Sequence, residues 1–222
     1  MVTVRWLGHS AFEVSTSKLK VFVDPFLSNN PQAVVKAREI GKADFILVSH
    51  DHSDHLGDAV LIAKNTGATV VVVPEVASKI GGDVKTTAPN IGSMVDVGGL
   101  KVVMVPAFHT CSMGMPVGFV FSLEGKTIYH AGDTGLFGDM KLIGEVYKPD
   151  VALIPIGGYY TMGPIEASIA TSLIKPKTVI PMHYGTFAVL EPNPDRFIEE
   201  TKKTAPNVKI VILKPGESYE TS

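Results

Sequence analysis

His50-Asp51-His52-Ser53-Asp54-His55 follows the apolar run Phe45-Ile46-Leu47-Val48, with Ser49 between the two stretches. A short, wholly apolar run indicates a buried strand. Residues two apart point to the same side while a strand persists, so His50 and His52 can converge on one point. Asp54 and His55 follow the turn and can face a second point. Imidazole and carboxylate groups suit zinc, iron or manganese, so the hexad predicts two neighbouring cations, with a solvated polar loop as the alternative.

The composition predicts a single domain spanning residues 1–222, since this length suits one large domain. A net charge of −2 and a pI near 6.4 argue against extensive nucleic-acid binding, while a small nucleotide or phosphoester substrate stays open. Cys111 is the single cysteine, so no intramolecular disulfide can form. The sequence has no signal-peptide pattern and no apolar run of about 18 residues. We therefore expect a cytoplasmic protein without a membrane span.

The hydrophobic pattern predicts an α/β (α+β) protein in which strands come first as a meander and then alternate with helices. This order favours sheets that are covered by helices on their outer faces. The predicted strands are 2–6, 11–14, 19–23, 45–48, 70–73, 100–105, 117–123, 126–129, 151–155, 178–180 and 208–213. The predicted helices are 31–40, 56–64, 140–147, 164–173 and 195–204, with a helical turn at 76–80.

Three further candidate ligands, His109, Asp133 and His183, each follow a predicted strand. Alone, each histidine is typical of a hydrogen-bonded loop residue, and an aspartate between glycines is typical of a turn. All three lie in strand-end loops, however, where layered α/β proteins build their sites. We therefore add them to the four candidate ligands of the hexad.

The set His50-x-His52-x-Asp54-His55, His109, Asp133 and His183 resembles the metallo-β-lactamase-fold superfamily of metal-dependent hydrolases. Five further motifs resemble a small uncharacterised hydrolase group related to ascorbate-6-phosphate lactonases and N-acyl-phosphatidylethanolamine phospholipases. These motifs are Trp6-Leu7-Gly8-His9-Ser10, Asp24-Pro25-Phe26, residues 129–135, Gly163-Pro164 and Pro181-Met182-His183-Tyr184-Gly185-Thr186. The similarity covers essentially the whole chain.

The resemblance implies a four-layer αββα sandwich and a dinuclear metal centre at one edge of the paired sheets. It places one metal on His50, His52 and His109, the second on Asp54, His55 and His183, and Asp133 between both. The two ions are expected to be zinc, with manganese, nickel and iron as alternatives. A bridging hydroxide would attack an ester, lactone or phosphoester, with Asp54 and Asp133 as the catalytic carboxylates.

Five other residues are candidates for supporting the metals or contacting the substrate. Asp24 is predicted either to accept a hydrogen bond from a ligand histidine or to form a turn. Asp51 is predicted either to orient a ligand and shuttle protons or to be a solvated loop residue. His9 is expected to contact the substrate or to support the metals, with packing as the alternative. Tyr159 and Met162 are predicted either to line a pocket or to pack in the fold.

Further side chains near these motifs are assigned mainly to packing. His130 is expected to pack at a strand end, and Tyr160 in the fold, although it could also line the pocket. Cys111 is predicted to be an inert thiol rather than a group close to the metals. Met113 and Met115 flank Gly114 in a loop that could form an apolar lip.

Two other functional classes stay open at this stage. An iron oxidoreductase on the same fold, mononuclear or di-iron, is one alternative, although di-iron relatives carry a glutamate at the position of His52 and an added flavin domain. A non-catalytic metal-binding or ligand-binding protein is the other. The predicted partner is a small-molecule substrate, and whether copies of the chain form a homo-oligomer is left open.

Overall fold

The computed structural model describes residues 1–221, and these residues form two seven-stranded mixed sheets with helices outside them. The strands are β1 (Val2–Gly8), β2 (Ala11–Ser15), β3 (Lys20–Val23), β4 (Phe45–Leu47), β5 (Thr69–Val71), β6 (Thr86–Thr87), β7 (Met94–Val97), β8 (Leu100–Pro106), β9 (Val117–Leu123), β10 (Lys126–His130), β11 (Val151–Pro155), β12 (Thr178–Met182), β13 (Lys209–Ile210) and β14 (Ser218–Thr221). The helices are α1 (Ser53–Leu56), α2 (Ala59–Thr66), α3 (Pro74–Ile80), α4 (Met140–Tyr147), α5 (Pro164–Ile174) and α6 (Asp195–Thr204).

Both sheets follow the same plan. The first has the order β14-β1-β2-β3-β4-β5-β6 and the second β13-β12-β11-β10-β9-β8-β7. In the first sheet β14 to β3 pair antiparallel and β3 to β6 pair parallel. In the second sheet β7 to β10 pair antiparallel and β10 to β13 pair parallel. Each sheet therefore combines an antiparallel meander with a parallel part, as the order of predicted elements suggested.

The core consists of apolar side chains that the two sheets bury. Trp6, Phe12, Phe22, Phe119 and Phe121 are among the largest of them, and each is at most 1% exposed. Helix α2 packs against β5, and α5 packs against β11 with α4 and α6 beside it. The predicted α/β sandwich is confirmed, because two mixed sheets flanked by helices are observed.

The predicted helix over residues 31–40 is wrong, since only a 3₁₀ turn at Ala37–Glu39 forms there. Side chains of this segment bond to the backbone instead. Asn30 Oδ1 accepts a hydrogen bond from the backbone N–H of Gln32, and Gln32 Oε1 accepts one from the backbone N–H of His9. Such bonds compete with helix formation.

Other differences lie at element ends and sheet edges. The last predicted strand shortens to β13, and α1 begins within the hexad, at Ser53. The edge strands β6, β7 and β14 were not predicted. Each has only two to four residues, and most of their side chains are exposed or half-buried, so they lack a clear apolar pattern. No helix among residues 1–221 is both long and apolar enough to cross a bilayer.

Candidate metal centre

Within each sheet, the strands that precede the candidate ligands run in one direction. In the first sheet β1 and β3 are each antiparallel to β2, and β4 is parallel to β3. In the second sheet β8 and β10 are each antiparallel to β9, and β10, β11 and β12 are parallel. The carboxyl ends of these strands therefore lie together in each sheet, as is general for sites in open α/β sheets. The residues that follow them are His9, Asp24, the hexad, His109, Asp133 and His183.

One cluster consists of His50, His52 and His109, whose ligand atoms all lie within 4.8 Å of one another. His50 Nε2 lies 2.9 Å from His52 Nδ1. The ring of His109 lies 5.1 Å from the ring of His50 and 5.2 Å from that of His52. The structure thus brings together the three side chains that the resemblance assigns to the first metal.

A second cluster contains Asp54, His55 and His183, again with ligand atoms within 4.8 Å of one another. His9 also belongs to this cluster, and its Nε2 lies 3.3 Å from Asp54 Oδ2. The first three residues are those that the resemblance assigns to the second metal. The sequence predicted His9 near the metals or the substrate but did not include it among the ligands.

Asp133 lies between the two clusters and is 3% exposed. Its Oδ2 lies 3.1 Å from His183 Nε2, 3.2 Å from His55 Nε2 and 3.7 Å from His109 Nε2. One carboxylate therefore faces imidazoles of both clusters, which is the position that a bridging ligand requires.

Asp24 and Ser49 hold two of these imidazoles from behind. Asp24 accepts hydrogen bonds from the Ser49 backbone N–H at 2.7 Å and the Ser49 hydroxyl at 2.6 Å. His55 Nδ1 lies 2.8 Å from Asp24 Oδ2, and His50 Nδ1 lies 3.0 Å from Ser49 Oγ. Since the Ser49 proton goes to Asp24, both histidines donate from Nδ1 and direct Nε2 inward. Metal-binding histidines usually have such partners.

Several site residues adopt backbone conformations that L-amino acids rarely adopt. His9, Asp24 and His183 have φ values of 54°, 43° and 58°. Such strain concentrates at functional sites, where the surrounding structure has to stabilise it. Gly157 allows the close approach of His183, because a Cβ atom on Gly157 would lie 2.1 Å from the carbonyl oxygen of His183.

The electrostatic environment keeps the acidic groups ionised. Burial by itself would raise the pKa of Asp133, but His183 and His55 hold it well below its usual range. Burial lowers the pKa of His50 to about 3, with a further contribution from the charge of His55. Burial also disfavours charge on His55, yet Asp133 and Asp24 raise its pKa well above 6.5. At neutral pH Asp133 is thus ionised and His50 neutral, as metal coordination requires, and metal binding would displace a proton from His55.

The residues present fit divalent metal ions. Among residues 1–221, no group makes a hydrogen bond of good geometry to the buried His55 Nε2 or Asp133 Oδ1. Buried polar atoms normally have partners, and those without one call for an explanation. A cation explains both atoms, because it accepts the lone pairs that converge here. The nitrogen and oxygen donors suit zinc and the other borderline or hard divalent ions.

A cavity of about 990 Å³ opens over the two clusters. Its floor includes His52, Asp54, His109, Asp133 and His183. Its apolar lining residues, called the apolar wall below, include Phe26, Tyr160, Phe187 and Val189, and its polar lining residues include Ser28, Asn29 and Asp58. Among these described lining residues there is neither lysine nor arginine. The cavity has the size and the mixed lining of a small-molecule site.

The remaining candidate residues lie at varying distances from this cavity. Asp51 belongs to neither cluster and accepts a hydrogen bond from the Ser112 backbone N–H, which connects the loop after His109 to the hexad. Tyr159 is 78% exposed and lines a neighbouring groove. Met162 lies in the hydrophobic core, whereas Tyr160, assigned mainly to packing, lines both the cavity and the groove.

Three further residues from the sequence motifs lie outside both clusters. His130 is buried and bonds to the backbone of Ser10 and Gly132, as its packing role predicted. The thiol of Cys111 lies 3.4 Å from the carbonyl oxygen of Met113, and burial raises its pKa. Met115 is 60% exposed and lines the neighbouring groove.

Sequence reasoning gave no role to three residues that support the site, namely Ser49, Gln32 and Thr186, although Thr186 ends one of the quoted motifs. Ser49 adjoins the hexad, and its place between strand and histidines was an available signal. Gln32 and Thr186 both contact the Gly8-His9 turn but lie 23 and 177 residues from His9 in sequence. Nothing local in the sequence joins them.

The family described as "Beta-lactamase superfamily domain" matches residues 3–183. A UPF0173 metal-dependent hydrolase of Caldivirga maquilingensis is 50% identical over 218 residues, which are 96% of each chain. A UPF0173 metal-dependent hydrolase of Methanopyrus kandleri is 49% identical over 228 residues, covering 98% of this chain and 99% of that protein. Igni18, a metallo hydrolase from Ignicoccus hospitalis, superposes with a TM-score of 0.91 at 35% identity and covers 100% of this chain and 99% of its own.

Proposed function

This chain belongs to the beta-lactamase superfamily domain family and is a metal-dependent hydrolase, and we propose that it cleaves an ester, lactone or phosphoester at a dinuclear centre. The single observation that carries this proposal is the position of Asp133. Its carboxylate faces His109 on one side and His55 and His183 on the other, within 3.1 to 3.7 Å. One carboxylate that serves two three-residue clusters is what a pair of ions about 3.5 to 4 Å apart needs.

His50, His52 and His109 would hold one ion, and Asp54, His55 and His183 the other. Two divalent ions at such a site lower the pKa of a shared water toward about 7 and polarise the bond to be cleaved. Asp24 and Ser49 keep Nδ1 of His55 and His50 protonated, so that Nε2 of each carries the lone pair. Zinc suits this set best, because it favours imidazole and carboxylate ligands and the centre has no thiolate.

The cavity lining favours a partly apolar substrate. Phe26, Phe187 and Val189 offer apolar surface. The described residues around this cavity include neither lysine nor arginine, so an anionic group of the substrate would be held by the metal ions themselves. Within the proposed classes, an ester, lactone or phosphoester of a partly apolar small molecule fits best.

Two features of the whole chain accompany this proposal. Residues 1–222 would form one domain, since β14 near the C-terminus pairs with β1 at the N-terminus and so completes the first sheet. A cytoplasmic location rests on the single cysteine, Cys111, which leaves the chain independent of disulfides.

The test combines metal counting with turnover. Native mass spectrometry of the zinc-loaded protein should give two ions per chain, and Asp54→Ala should bind one of the two more weakly than the wild type. Asp133→Ala should abolish hydrolysis of a panel containing an aryl acetate, a lactone and a phosphodiester. Asp44→Ala is the matched control, because Asp44 also caps a strand end, with a hydrogen bond from Lys20 N, but lies outside both clusters. Unchanged turnover in Asp133→Ala, or a single ion per chain in the zinc-loaded wild type, would contradict the proposal.

A further inference from the structure

His9 lies beside the second cluster but is not among the seven ligands that the resemblance implies. Its side chain is fully buried, its ring centroid lies 3.9 Å from that of His183, and its Nε2 lies 3.3 Å from Asp54 Oδ2. His9 is not part of the cavity lining, whereas Asp54 and His183 are. A substrate in the cavity therefore meets Asp54 and His183, with His9 behind them.

The side-chain amide of Gln32 has only one orientation that satisfies its neighbours. Gln32 Nε2 lies 3.0 Å from the carbonyl oxygen of Tyr184, which can only accept a hydrogen bond. Gln32 Oε1 lies 2.9 Å from the backbone N–H of His9, which can only donate one. Gly8 permits this approach, because a Cβ atom on Gly8 would lie 2.7 Å from Gln32 Cβ. The backbone thus fixes Oε1 toward His9 and Thr186.

This orientation decides where the hydroxyl proton of Thr186 goes. Thr186 Oγ1 lies 3.1 Å from Gln32 Oε1 and 3.4 Å from the carbonyl oxygen of Tyr184, and both of these atoms are acceptors. If the hydroxyl donates to one of them, Oγ1 accepts from the third neighbour, His9 Nδ1, at 2.9 Å. In that arrangement the neutral ring of His9 has its proton on Nδ1 and presents a bare Nε2.

The predicted ligand His50 has the same arrangement. His50 Nδ1 donates to Ser49 Oγ, Ser49 donates onward to Asp24, and His50 Nε2 faces the first cluster. His9 Nδ1 donates to Thr186, Thr186 donates onward to Gln32, and His9 Nε2 faces the second cluster. Both relays prepare an imidazole for a cation by fixing its tautomer from behind.

We propose that His9 is an additional metal ligand, which binds the second ion through Nε2 together with Asp54, His55 and His183. The ligand atoms of these four residues all lie within 4.8 Å of one another. His9 Nε2 and Asp54 Oδ2 are 3.3 Å apart, and two atoms that each lie about 2.0 to 2.1 Å from one zinc ion are about 3 to 3.5 Å apart. The added ligand leaves the second ion fewer open positions than the first.

This inference rests on the proposed dinuclear centre. Cadmium-113 NMR distinguishes a failure of the inference about His9 from a failure of the proposed centre. In the protein labelled with nitrogen-15 and loaded with two equivalents of cadmium-113, a scalar coupling between cadmium and nitrogen arises only through a bond. We expect such a coupling at Nε2 of His9, His55 and His183, with the His9 proton retained on Nδ1. Coupling at His55 and His183 but not at His9 would overturn this inference and leave the centre intact. No coupling at any of the three would overturn both.

A variant gives a second measurement that does not depend on turnover. His9→Gln keeps an amide that can donate a hydrogen bond toward Asp54, but it removes the imidazole lone pair. We expect the dissociation constant of the second cadmium ion to rise at least tenfold and the first to change less than twofold. His130→Gln is the matched control, because His130 is equally buried and bonds to backbone groups only. An unchanged second constant in His9→Gln would contradict the inference.

Discussion

Asp24 Oδ2 lies 2.8 Å from His55 Nδ1, and both side chains are completely buried. Burial by itself would raise the pKa of Asp24, but His55 lowers it, so the carboxylate stays ionised. The pair keeps His55 Nε2 directed toward Asp133 and unprotonated once a metal is bound. A group that touches neither the substrate nor the proposed ions thus decides whether one ligand is correctly placed.

The first prediction concerns this pair. Asp24→Asn should weaken binding of the second zinc ion about 10-fold to 100-fold, as is typical when the partner of a metal-binding histidine is lost. Both carboxylate oxygens of Asp24 accept hydrogen bonds: Oδ1 from the Ser49 backbone N–H, and Oδ2 from the Ser49 hydroxyl and His55 Nδ1. In either orientation the NH₂ group of an asparagine would therefore face a donor. Titration against a chelating dye measures the affinity. Asp44→Asn serves as the control, and equal affinities in the two variants would contradict the role of Asp24.

The second prediction tests the approach of Gly157 to His183. Gly157→Ala should destabilise the fold by at least about 2 kcal/mol, because an added methyl group in a tightly packed site costs about 1 to 3 kcal/mol and here meets backbone. The new Cβ atom would lie 2.1 Å from the His183 carbonyl oxygen and 3.2 Å from its Nδ1. Urea unfolding with a chelator present measures this loss without metal effects. Gly138→Ala should be nearly neutral, since a Cβ atom there meets nothing within 4 Å.

The third prediction addresses the apolar wall of the cavity. Phe187→Ala should raise KM for a neutral ester with an apolar acyl group about fivefold to tenfold and leave kcat nearly unchanged, since about 1 kcal/mol of apolar contact is lost. Phe187 lines the cavity and is 38% exposed. Leu142→Ala is the control, because Leu142 on α4 is 53% exposed but lies outside the cavity. A fall in kcat at constant KM would contradict the role of Phe187 in substrate binding.

The fourth prediction concerns pH and His130. His130 Nε2 donates to the Ser10 carbonyl and Nδ1 accepts from the Gly132 N–H, so the ring is neutral, and burial lowers its pKa below 6.5. The unfolded chain takes up a proton near pH 6.5, and the folded chain does so only at lower pH. The stability that neutral His130 contributes is therefore complete above pH 6.5 and declines as the pH falls below it.

Between pH 6.5 and 5.5, the wild-type protein should therefore lose up to about 1 kcal/mol more stability than His130→Gln, which cannot titrate. Urea unfolding at both pH values, with a chelator present, measures the two slopes. Because only the slopes are compared, a uniform destabilisation by glutamine does not matter. Parallel slopes would mean that His130 keeps its ordinary pKa in the folded protein.

Local pattern was sufficient for most of the fold. Wholly apolar runs such as β4 and β11 and the periodic helices α4 and α6 follow from side-chain alternation and periodicity, which neighbouring residues determine. The helix predicted over residues 31–40 failed because Gln32 bonds to the turn at His9, a distant partner that no local pattern reveals. Strand β14 was missed because an edge strand gains its order from pairing with β1.

The sequence by itself determined which chemistry this protein can perform. Seven imidazole and carboxylate groups follow strands, and together they define a site for hard or borderline cations. They are His50, His52, Asp54, His55, His109, Asp133 and His183. The tertiary structure alone decided which of these groups lie together. Strand ends bring Asp133 between the clusters, and Thr186 contacts His9 across 177 residues. Ligand type is a property of each residue, whereas coordination depends on distances that only the packed sheets set.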